Sequence, residues 1–231
     1  MNAFKHIETV AVFDVDETLI PFRSMFVFLD FAMKAKMGDE LGARRYQAFL
    51  KEIENYRQTL PREIVNRLFY RVFKGWSVTE LEEIAKHWWA QIPTQERWIP
   101  EVLAALRSHQ NKGHFVTLLS GSAEFILAPI ADELDVDLKM AIKLGTQEDG
   151  TCNGEIWGIQ TIGDGKRQAL ANMECFAEID AKFVGYGDHR SDLSFLNYCD
   201  EGYVVVPNGA TDPHWAKGQK ILRSSMHRTW I

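Results

Sequence analysis

Cysteine is scarce in this sequence, and its placement excludes two kinds of site. Only Cys152, Cys175 and Cys199 occur among the 231 residues. Their number is odd, their spacing is wide, and no two of them form a CxxC pair, so a disulfide framework and a zinc site are both excluded. We therefore predict reduced thiols and a cytoplasmic location for the chain.

The sequence also lacks an excess of positive charge and a long apolar run. Lysine and arginine number 26 against 32 aspartate and glutamate residues, which gives a formal net charge of −6. This balance lacks the basic footprint of a nucleic-acid-binding domain. No apolar run approaches the about 20 residues of a membrane-spanning helix. We predict a soluble protein with neither nucleic acid nor membrane as a partner.

Short runs rich in apolar and β-branched residues recur along the chain and predict strands that are buried on both faces. These runs cover residues 9–13, 115–119, 182–186 and 202–206. Helical patterns alternate with the runs, which predicts an α/β fold with a doubly wound parallel sheet. The Asp149-Gly150 pair, which stands between two semi-apolar arms, predicts an additional β-hairpin.

The stretch from residue 19 to residue 98 differs from the rest, because it contains helical patterns and no buried-strand run. Ser77, with Glu80 three residues later, predicts the capped start of one of its helices. The chain is large for one domain and small for two. We predict a helical cap, residues 19–98, inserted after the first strand of a core that comprises residues 1–18 and 99–231.

Two carboxylates, Asp14 and Asp16, directly follow the first predicted strand. Ligands of open α/β sheets bind in the crevice beyond the carboxyl ends of the strands. Crowded carboxylates repel, which raises one pKa or requires a cation between them. Either outcome serves catalysis by a carboxylate nucleophile and a neighbouring acid. The alternative is that both residues cap the next helix or solvate a turn.

A second acidic pair, Asp188 and Asp192, follows another predicted strand. The two lie one helical turn apart, so both can face the same point. Magnesium prefers oxygen ligands and takes only a few carboxylates, and Asp14, Asp188 and Asp192 supply such a set. The alternative is a helix N-cap followed by an exposed acid.

Two further places indicate an anion. Ser120 and Gly121 end the second predicted strand, where a hydroxyl and the amides of a helix that begins near Ala123 can donate hydrogen bonds. Lys166 begins a helical pattern, where the helix dipole disfavours a cation unless an external anion offsets it. The alternatives are that Ser122 is an ordinary N-cap and that Lys166 is a solvated surface lysine.

These pieces, in their order and spacing, resemble the four motifs of the haloacid dehalogenase superfamily, specifically its phosphoserine-phosphatase-like branch, subfamily IB. The matching residues are Asp14-Val-Asp16-Glu-Thr18, Ser120 with Gly121, Lys166, and Gly187-Asp188-His-Arg-Ser-Asp192. The resemblance covers nearly the whole predicted core, and residues 145–170 are similar to the hairpin that precedes the motif lysine in that branch. It implies a Rossmann-like core with a cap at the position of residues 19–98.

The resemblance also implies the chemistry of the first motif. Asp14 would be the nucleophile and a magnesium ligand. Asp16 would protonate the leaving oxygen, later activate water, and bind Mg²⁺ through its backbone carbonyl. Thr18 would stabilise the turn beneath the first motif and would be one of the phosphate-binding residues.

The remaining motifs would hold the phosphoryl group and the metal. By the same resemblance, Ser120, Gly121 and Lys166 would bind phosphoryl oxygens. Asp188 would ligate Mg²⁺, and Asp192 would support the metal directly or through water. Phosphoryl transfer needs positioning and charge neutralisation, which such a set supplies.

The chain departs from phosphoserine phosphatases at Arg23, where those enzymes carry a glutamate that pairs with the substrate ammonium. An arginine attracts a second anion, so we expect a substrate with an anionic or hydroxyl-rich group that is not phosphoserine. The alternative is that Arg23 is exposed on the cap. Phe22 and Phe26 lie near enough to line a pocket, and His189 or Arg190 is expected to touch the substrate.

The sequence therefore predicts a Mg²⁺-dependent phosphatase that hydrolyses a small-molecule phosphate monoester through an aspartyl-phosphate intermediate. One alternative is a phosphotransferase or phosphomutase on the same scaffold. Another is a non-catalytic protein that binds a phosphorylated ligand, although binding alone does not need the acid Asp16. Dehalogenation is disfavoured for the same reason, since halide displacement requires no acid at that position.

Overall fold

A computed structural model describes residues 7–173 and 180–225 of the chain; Cys175 lies outside these residues. Their centre is a seven-stranded sheet in the order β4-β3-β2-β1-β5-β6-β7. All neighbouring strands are parallel except β3 and β4. The strands are β1 (Thr9–Phe13), β2 (Phe115–Ala123), β3 (Leu138–Thr146), β4 (Cys152–Trp157), β5 (Lys182–Gly187), β6 (Glu201–Pro207) and β7 (Lys220–Ser224).

The sheet confirms the predicted α/β class and the four predicted strands. β2 is longer than predicted, because the chain stays extended through Ser120 up to Ala123, with an irregular register beyond Leu119. The predicted hairpin is formed by β3 and β4. Asp149 stabilises its turn by accepting a hydrogen bond from the Thr151 amide at 3.0 Å. The outer strand β7 and the parallel part of β3 have no sequence-based prediction.

The helices lie between the strands in chain order. They are α1 (Ser24–Met37), α2 (Asp39–Thr59), α3 (Arg62–Tyr70), α4 (Val78–Gln91), α5 (Thr94–Arg97), α6 (Pro100–Asn111), α7 (Glu124–Leu134), α8 (Asp164–Ala171) and α9 (Leu193–Leu196). Helices α1 to α5 all fall between β1 and β2. The division into a cap of residues 19–98 and a core remains a prediction.

Central strand β1 is buried on both faces, as its apolar run predicts. Val10 and Val12 pack into one hydrophobic cluster. Ala11 and Phe13 pack into the other, because successive strand side chains point to opposite faces.

The larger cluster also contains aromatic residues of the inserted helices. Phe28 of α1 packs against Trp88 of α4 at 5.7 Å and against Phe125 of α7 at 5.4 Å between ring centroids. The insertion therefore shares an apolar core with the sheet and its flanking helix α7.

The segment between α3 and α4 is connected to the hairpin by backbone hydrogen bonds. The Gly75 amide donates to the Cys152 carbonyl, and the Cys152 amide donates to the Trp76 carbonyl, each at 2.8 Å. Ser77 then caps α4 by accepting from the Glu80 amide at 3.4 Å. Among the helices of residues 7–173 and 180–225, none has both the length and the apolar character needed to cross a bilayer.

Candidate active site

Asp14 stands at the point where β1 ends. Its amide still donates to the Tyr186 carbonyl at 2.9 Å, so the sheet pairing with β5 fixes its backbone. Its carboxylate is buried and accepts from the Thr18 hydroxyl at 2.8 Å and from Lys166 Nζ at 2.6 Å. These contacts join the first predicted motif to the lysine at the start of α8.

Asp188 and Asp192 face the same point from the loop after β5. Thr18 Oγ1 lies 3.1 Å from Asp188 Oδ1. One Asp192 oxygen accepts from Lys166 Nζ at 2.7 Å, and the other accepts from the amides of Asp188 at 3.2 Å and His189 at 3.0 Å. Asp192 thus orients the Asp188 loop and also binds the lysine, while Thr18 lies beneath Asp14 and Asp188.

The three buried carboxylates fit a divalent cation. Asp14, Asp188 and Asp192 each offer an oxygen within 4.8 Å of the others. Hard oxygen donors of this kind suit magnesium. Lys166 supplies one positive charge against three carboxylates, and a divalent cation would offset the remainder.

Burial and the neighbouring charges shift the titration of this cluster. Burial raises the pKa of Asp14 to about 6, although the Lys166 ammonium opposes the shift. Burial also acts to raise the pKa of Asp192, but the charge and hydrogen bond of Lys166, the His189 amide and the charge of Arg62 together lower it. Burial acts to lower the pKa of Lys166, yet the two carboxylates raise it, so the lysine stays charged.

Asp16 makes a separate set of contacts. One carboxylate oxygen accepts from the Ser24 amide at the start of α1, and the other accepts from the Ser122 hydroxyl, both at 3.0 Å. Burial raises the pKa of Asp16, while the two serine contacts oppose the shift. Asp16 therefore caps the next helix, as the structural alternative predicts, and is also biased toward holding a proton.

Ser120 and Gly121 lie near the end of β2, beside this acid. The Ser120 hydroxyl oxygen accepts from the Ser122 amide at 3.0 Å and keeps its own proton for another acceptor. The Gly121 carbonyl accepts from the Tyr70 hydroxyl at 2.8 Å and from Asn66 Nδ2 at 3.4 Å. The end of β2, where phosphate binding is predicted, is thus held by two residues of α3.

A cavity of about 280 Å³ joins these groups to the inserted helices. Its core wall contains Asp14, Asp16, Ser120, Gly121, Lys166, Asp188 and Asp192. Glu17, from the segment after β1, also lines the cavity. The helical wall contains Arg23, Met25, Phe26, Ile53, Arg57, Leu60, Arg62, Val65, Asn66 and Phe69. The core wall is acidic, whereas the helical wall is apolar with three arginines.

Of the residues that are expected to contact the substrate, some line the cavity and others do not. Arg23 lines the cavity and donates from Nε to Glu17 at 2.7 Å. Phe26 lines the cavity and packs on Phe69 with ring centroids 5.1 Å apart. Phe22 is instead buried against Trp88 and is not part of the cavity lining.

The two residues expected from the fourth motif also differ. His189 lines the cavity, and its Nδ1 accepts from Arg62 and from the Ser191 amide. Arg190 is exposed and is not part of the cavity lining.

Several site residues have no counterpart in the sequence-based prediction. Arg57, Arg62, Tyr70 and Ser24 lie in the inserted helices, and no local motif identifies them. The Ser120-Gly121-Ser122 segment of the sequence indicates only an N-cap role for Ser122. Its contact with Asp16 joins segments 106 positions apart in the chain, so only the fold reveals it.

Comparisons with known proteins agree with this geometry. A family model described as haloacid dehalogenase-like hydrolase matches residues 11–197. A histidinol-phosphatase from Neisseria meningitidis serogroup C (strain 8013) is 24% identical over 210 residues, which cover 87% of this chain and 91% of that protein.

Two solved structures share the fold. A protein of unknown function from Bordetella pertussis Tohama I has a TM-score of 0.76 and 23% identity, and the match covers 94% of this chain and 98% of that chain. A phospho-aspartyl intermediate analogue of phosphoserine phosphatase has a TM-score of 0.60 and 18% identity, covering 93% and 92%.

Proposed function

Since this chain belongs to the haloacid dehalogenase-like hydrolase family and is a phosphatase, we propose that it hydrolyses a small phosphate monoester with Mg²⁺ through a phosphorylated Asp14. One observation carries this proposal: Asp14, Asp188 and Asp192 form a buried cluster of carboxylates in which Lys166 binds Asp14 and Asp192, and the cluster opens into a cavity. Asp16, which the serines hold at the same cavity, supplies an acid beside the nucleophile.

In the first step, the Asp14 carboxylate attacks phosphorus and the bond to the ester oxygen breaks. Asp16 gives its proton to that oxygen, so the alcohol leaves in neutral form. Lys166 and the Ser120 hydroxyl donate hydrogen bonds to phosphoryl oxygens. A bound Mg²⁺, held by Asp14, Asp188, Asp192 and the Asp16 carbonyl, would neutralise part of the negative charge.

In the second step, Asp16 acts as a base. Its ionised carboxylate takes a proton from water while the water oxygen attacks phosphorus. The phosphorus bond to Asp14 breaks, which releases inorganic phosphate and regenerates the Asp14 carboxylate. Asp16 ends protonated, ready for the next ester.

The helical wall supports a substrate that carries a second anionic or hydroxyl-rich group and is not phosphoserine. Arg23, Arg57 and Arg62 line this wall together with the apolar Phe26 and other apolar side chains. The Glu17 carboxylate offsets part of the Arg23 charge. Arginine binds planar anions in two-point contacts, and apolar side chains favour a partly apolar body between the two ends.

A screen of phosphate esters tests both parts of this proposal. Purified protein is incubated with phosphoserine, carboxylated phosphates, sugar phosphates and histidinol phosphate, and released phosphate is measured with Mg²⁺ or with EDTA. We expect release with Mg²⁺ and loss of at least about 100-fold of the rate with EDTA.

A clear preference for phosphoserine would contradict the substrate proposal. Release that requires an added acceptor alcohol would instead indicate a phosphotransferase.

A further inference from the structure

One face of helix α3 contacts the loops that carry the active site. Arg62, Asn66 and Tyr70 are spaced by four residues, so they lie in a row along the helix. We call these three residues the α3 stripe. Arg62 donates to the Ser191 hydroxyl at 2.8 Å, within the loop between the two acids of the fourth motif. The stripe therefore begins at one active-site loop and runs toward another.

The other two residues of the stripe are buried, and their polar atoms are used by the core. The Tyr70 hydroxyl donates to the Gly121 carbonyl at 2.8 Å. Asn66 donates to the same carbonyl at 3.4 Å and accepts from Gln160 Nε2 at 2.9 Å. A buried hydroxyl or amide without a hydrogen-bond partner destabilises the fold, so these contacts hold α3 against the end of β2.

The Gly121 carbonyl belongs to the same rigid peptide plane as the Ser122 amide. That amide donates to the Ser120 hydroxyl oxygen at 3.0 Å. The Ser122 hydroxyl in turn donates to the Asp16 carboxylate at 3.0 Å. Tyr70 thus holds one end of this peptide, and the other end, the Ser122 amide, contacts Ser120, the proposed phosphate-binding serine. Ser122 itself holds Asp16, the proposed acid.

We propose that Tyr70 is a positioning residue, which fixes the Gly121-Ser122 peptide and thereby aims the Ser120 hydroxyl at the phosphoryl group. The inference rests on the proposed function, because it assigns Tyr70 a role in the same reaction. Asn66 assists through its longer contact to the same carbonyl. Tyr70 is not part of the cavity lining, so its effect passes through the Gly121-Ser122 peptide.

The test begins with Tyr70→Phe, which removes one oxygen and keeps the ring contacts with Phe69 and Phe73. With p-nitrophenyl phosphate and Mg²⁺, we expect kcat/KM to fall about 10-fold, as expected for a hydrogen bond that orients a transition-state donor. The matched control is Tyr46→Phe, because among the described residues the buried Tyr46 hydroxyl has no hydrogen-bond partner. This control is expected to keep the wild-type rate.

A double-mutant cycle with Ser120→Ala separates positioning from a general loss of structure. If Tyr70 acts through Ser120, Tyr70→Phe will cost less than about 3-fold once Ser120 lacks its hydroxyl, because coupled residues are not additive. The same fold-loss in both backgrounds, or no loss from Tyr70→Phe in the wild type, overturns the inference.

Binding of inorganic phosphate supplies a readout that does not depend on turnover. Calorimetry on the wild type and Tyr70→Phe is expected to show a Kd about 5-fold higher in the variant, and no such difference in the Ser120→Ala background. A wild type that binds phosphate but releases none from esters would contradict the proposed function and leave the phosphate-binding comparison to decide the role of Tyr70. Equal Kd values in wild type and Tyr70→Phe would contradict that role.

Discussion

The two walls of the cavity hold their charges in different ways. On the core wall, the side chains of Lys166, Asp14 and Asp192 are 5%, 8% and 2% exposed, and Lys166 bonds both carboxylates. On the helical wall, the side chains of Arg23 and Arg57 are 30% and 47% exposed, and each pairs with an acid close in sequence. Buried charges depend on every partner, whereas exposed pairs contribute little.

From this difference we predict that the reaction and the selection of the substrate are carried by different walls of the cavity. The core wall depends on one arrangement of charges, because removing Lys166 leaves two buried carboxylates without their shared cation. The helical wall tolerates substitution, since water screens its arginines. Changes on the core wall should therefore affect the reaction and stability, and changes on the helical wall should affect the choice of substrate.

The largest effect is expected from Asp14→Asn on the core wall. An amide cannot act as the nucleophile, so phosphate release should fall by at least about 1000-fold. Thermal unfolding should show that the fold is kept. Asp149→Asn, the same change in an exposed hairpin turn, is the control and should keep full activity. Retained activity in Asp14→Asn would remove Asp14 as the nucleophile.

Lys166→Met compares the two walls directly by stability. The substitution leaves Asp14 and Asp192 buried without their shared cation, so we expect the free energy of unfolding in urea to drop by about 3 kcal/mol. Arg23→Met on the helical wall is the matched change and should cost less than about 1 kcal/mol. Equal losses of unfolding free energy in the two variants would show that the charges of the two walls contribute equally to stability.

A third prediction concerns His109, which contacts Tyr186 in β5, the strand that leads to Asp188 on the core wall. Its Nε2 lies 3.0 Å from the Tyr186 hydroxyl, and its Nδ1 lies 2.7 Å from His114 Nδ1. Burial, followed by the nearby His114 and Lys112, lowers the pKa of His109 to about 4. As the pH falls, His109 therefore binds a proton in the unfolded chain at a higher pH than in the folded protein.

The stabilising contribution of neutral His109 is complete above about pH 6.5 and is lost progressively as the pH falls toward 4. Between pH 7 and pH 4.5 we expect the wild type to lose about 2 kcal/mol more unfolding free energy than His109→Gln, as measured in urea. Parallel pH profiles for the two proteins would contradict the neutral, buried histidine.

The smallest effect is expected from Arg57→Gln on the helical wall. For esters with a second anion, KM should rise about 10-fold while kcat stays within about 2-fold, because only ground-state binding is removed. For p-nitrophenyl phosphate, which has no second anion, the rise in KM should be smaller than for those esters, and kcat should again change little. Arg44→Gln, an exposed arginine elsewhere on α2, is the control. An equal rise of KM for both substrates would contradict selection by Arg57.

Much of the core was predictable because the relevant signals are local. The apolar run at residues 9–13 is β1, and Asp14 stands directly after it. The family match confirms the resemblance indicated by the four motifs. The structure also brings Asp14, Lys166, Asp188 and Asp192 together as expected. Their roles in catalysis remain predictions.

The helical wall was much less predictable. Phe22 and Phe26 are close in sequence, yet one is buried against Trp88 and the other lines the cavity. Helical periodicity identifies an apolar face but does not say which helix or cavity that face meets. The contact of Tyr70 with Gly121 spans 51 positions and has no sequence signature.

The sequence by itself determined four of the seven strands, the hairpin, the acids at the strand ends and the family, because strand patterns and motif residues are local properties of the chain. Only the tertiary structure decided that Ser122 holds Asp16, that Tyr70 holds Gly121, and that three arginines face the acids across a cavity. The physical reason is that these contacts depend on how distant helices pack onto the sheet, which arises from the sum of many side-chain contacts.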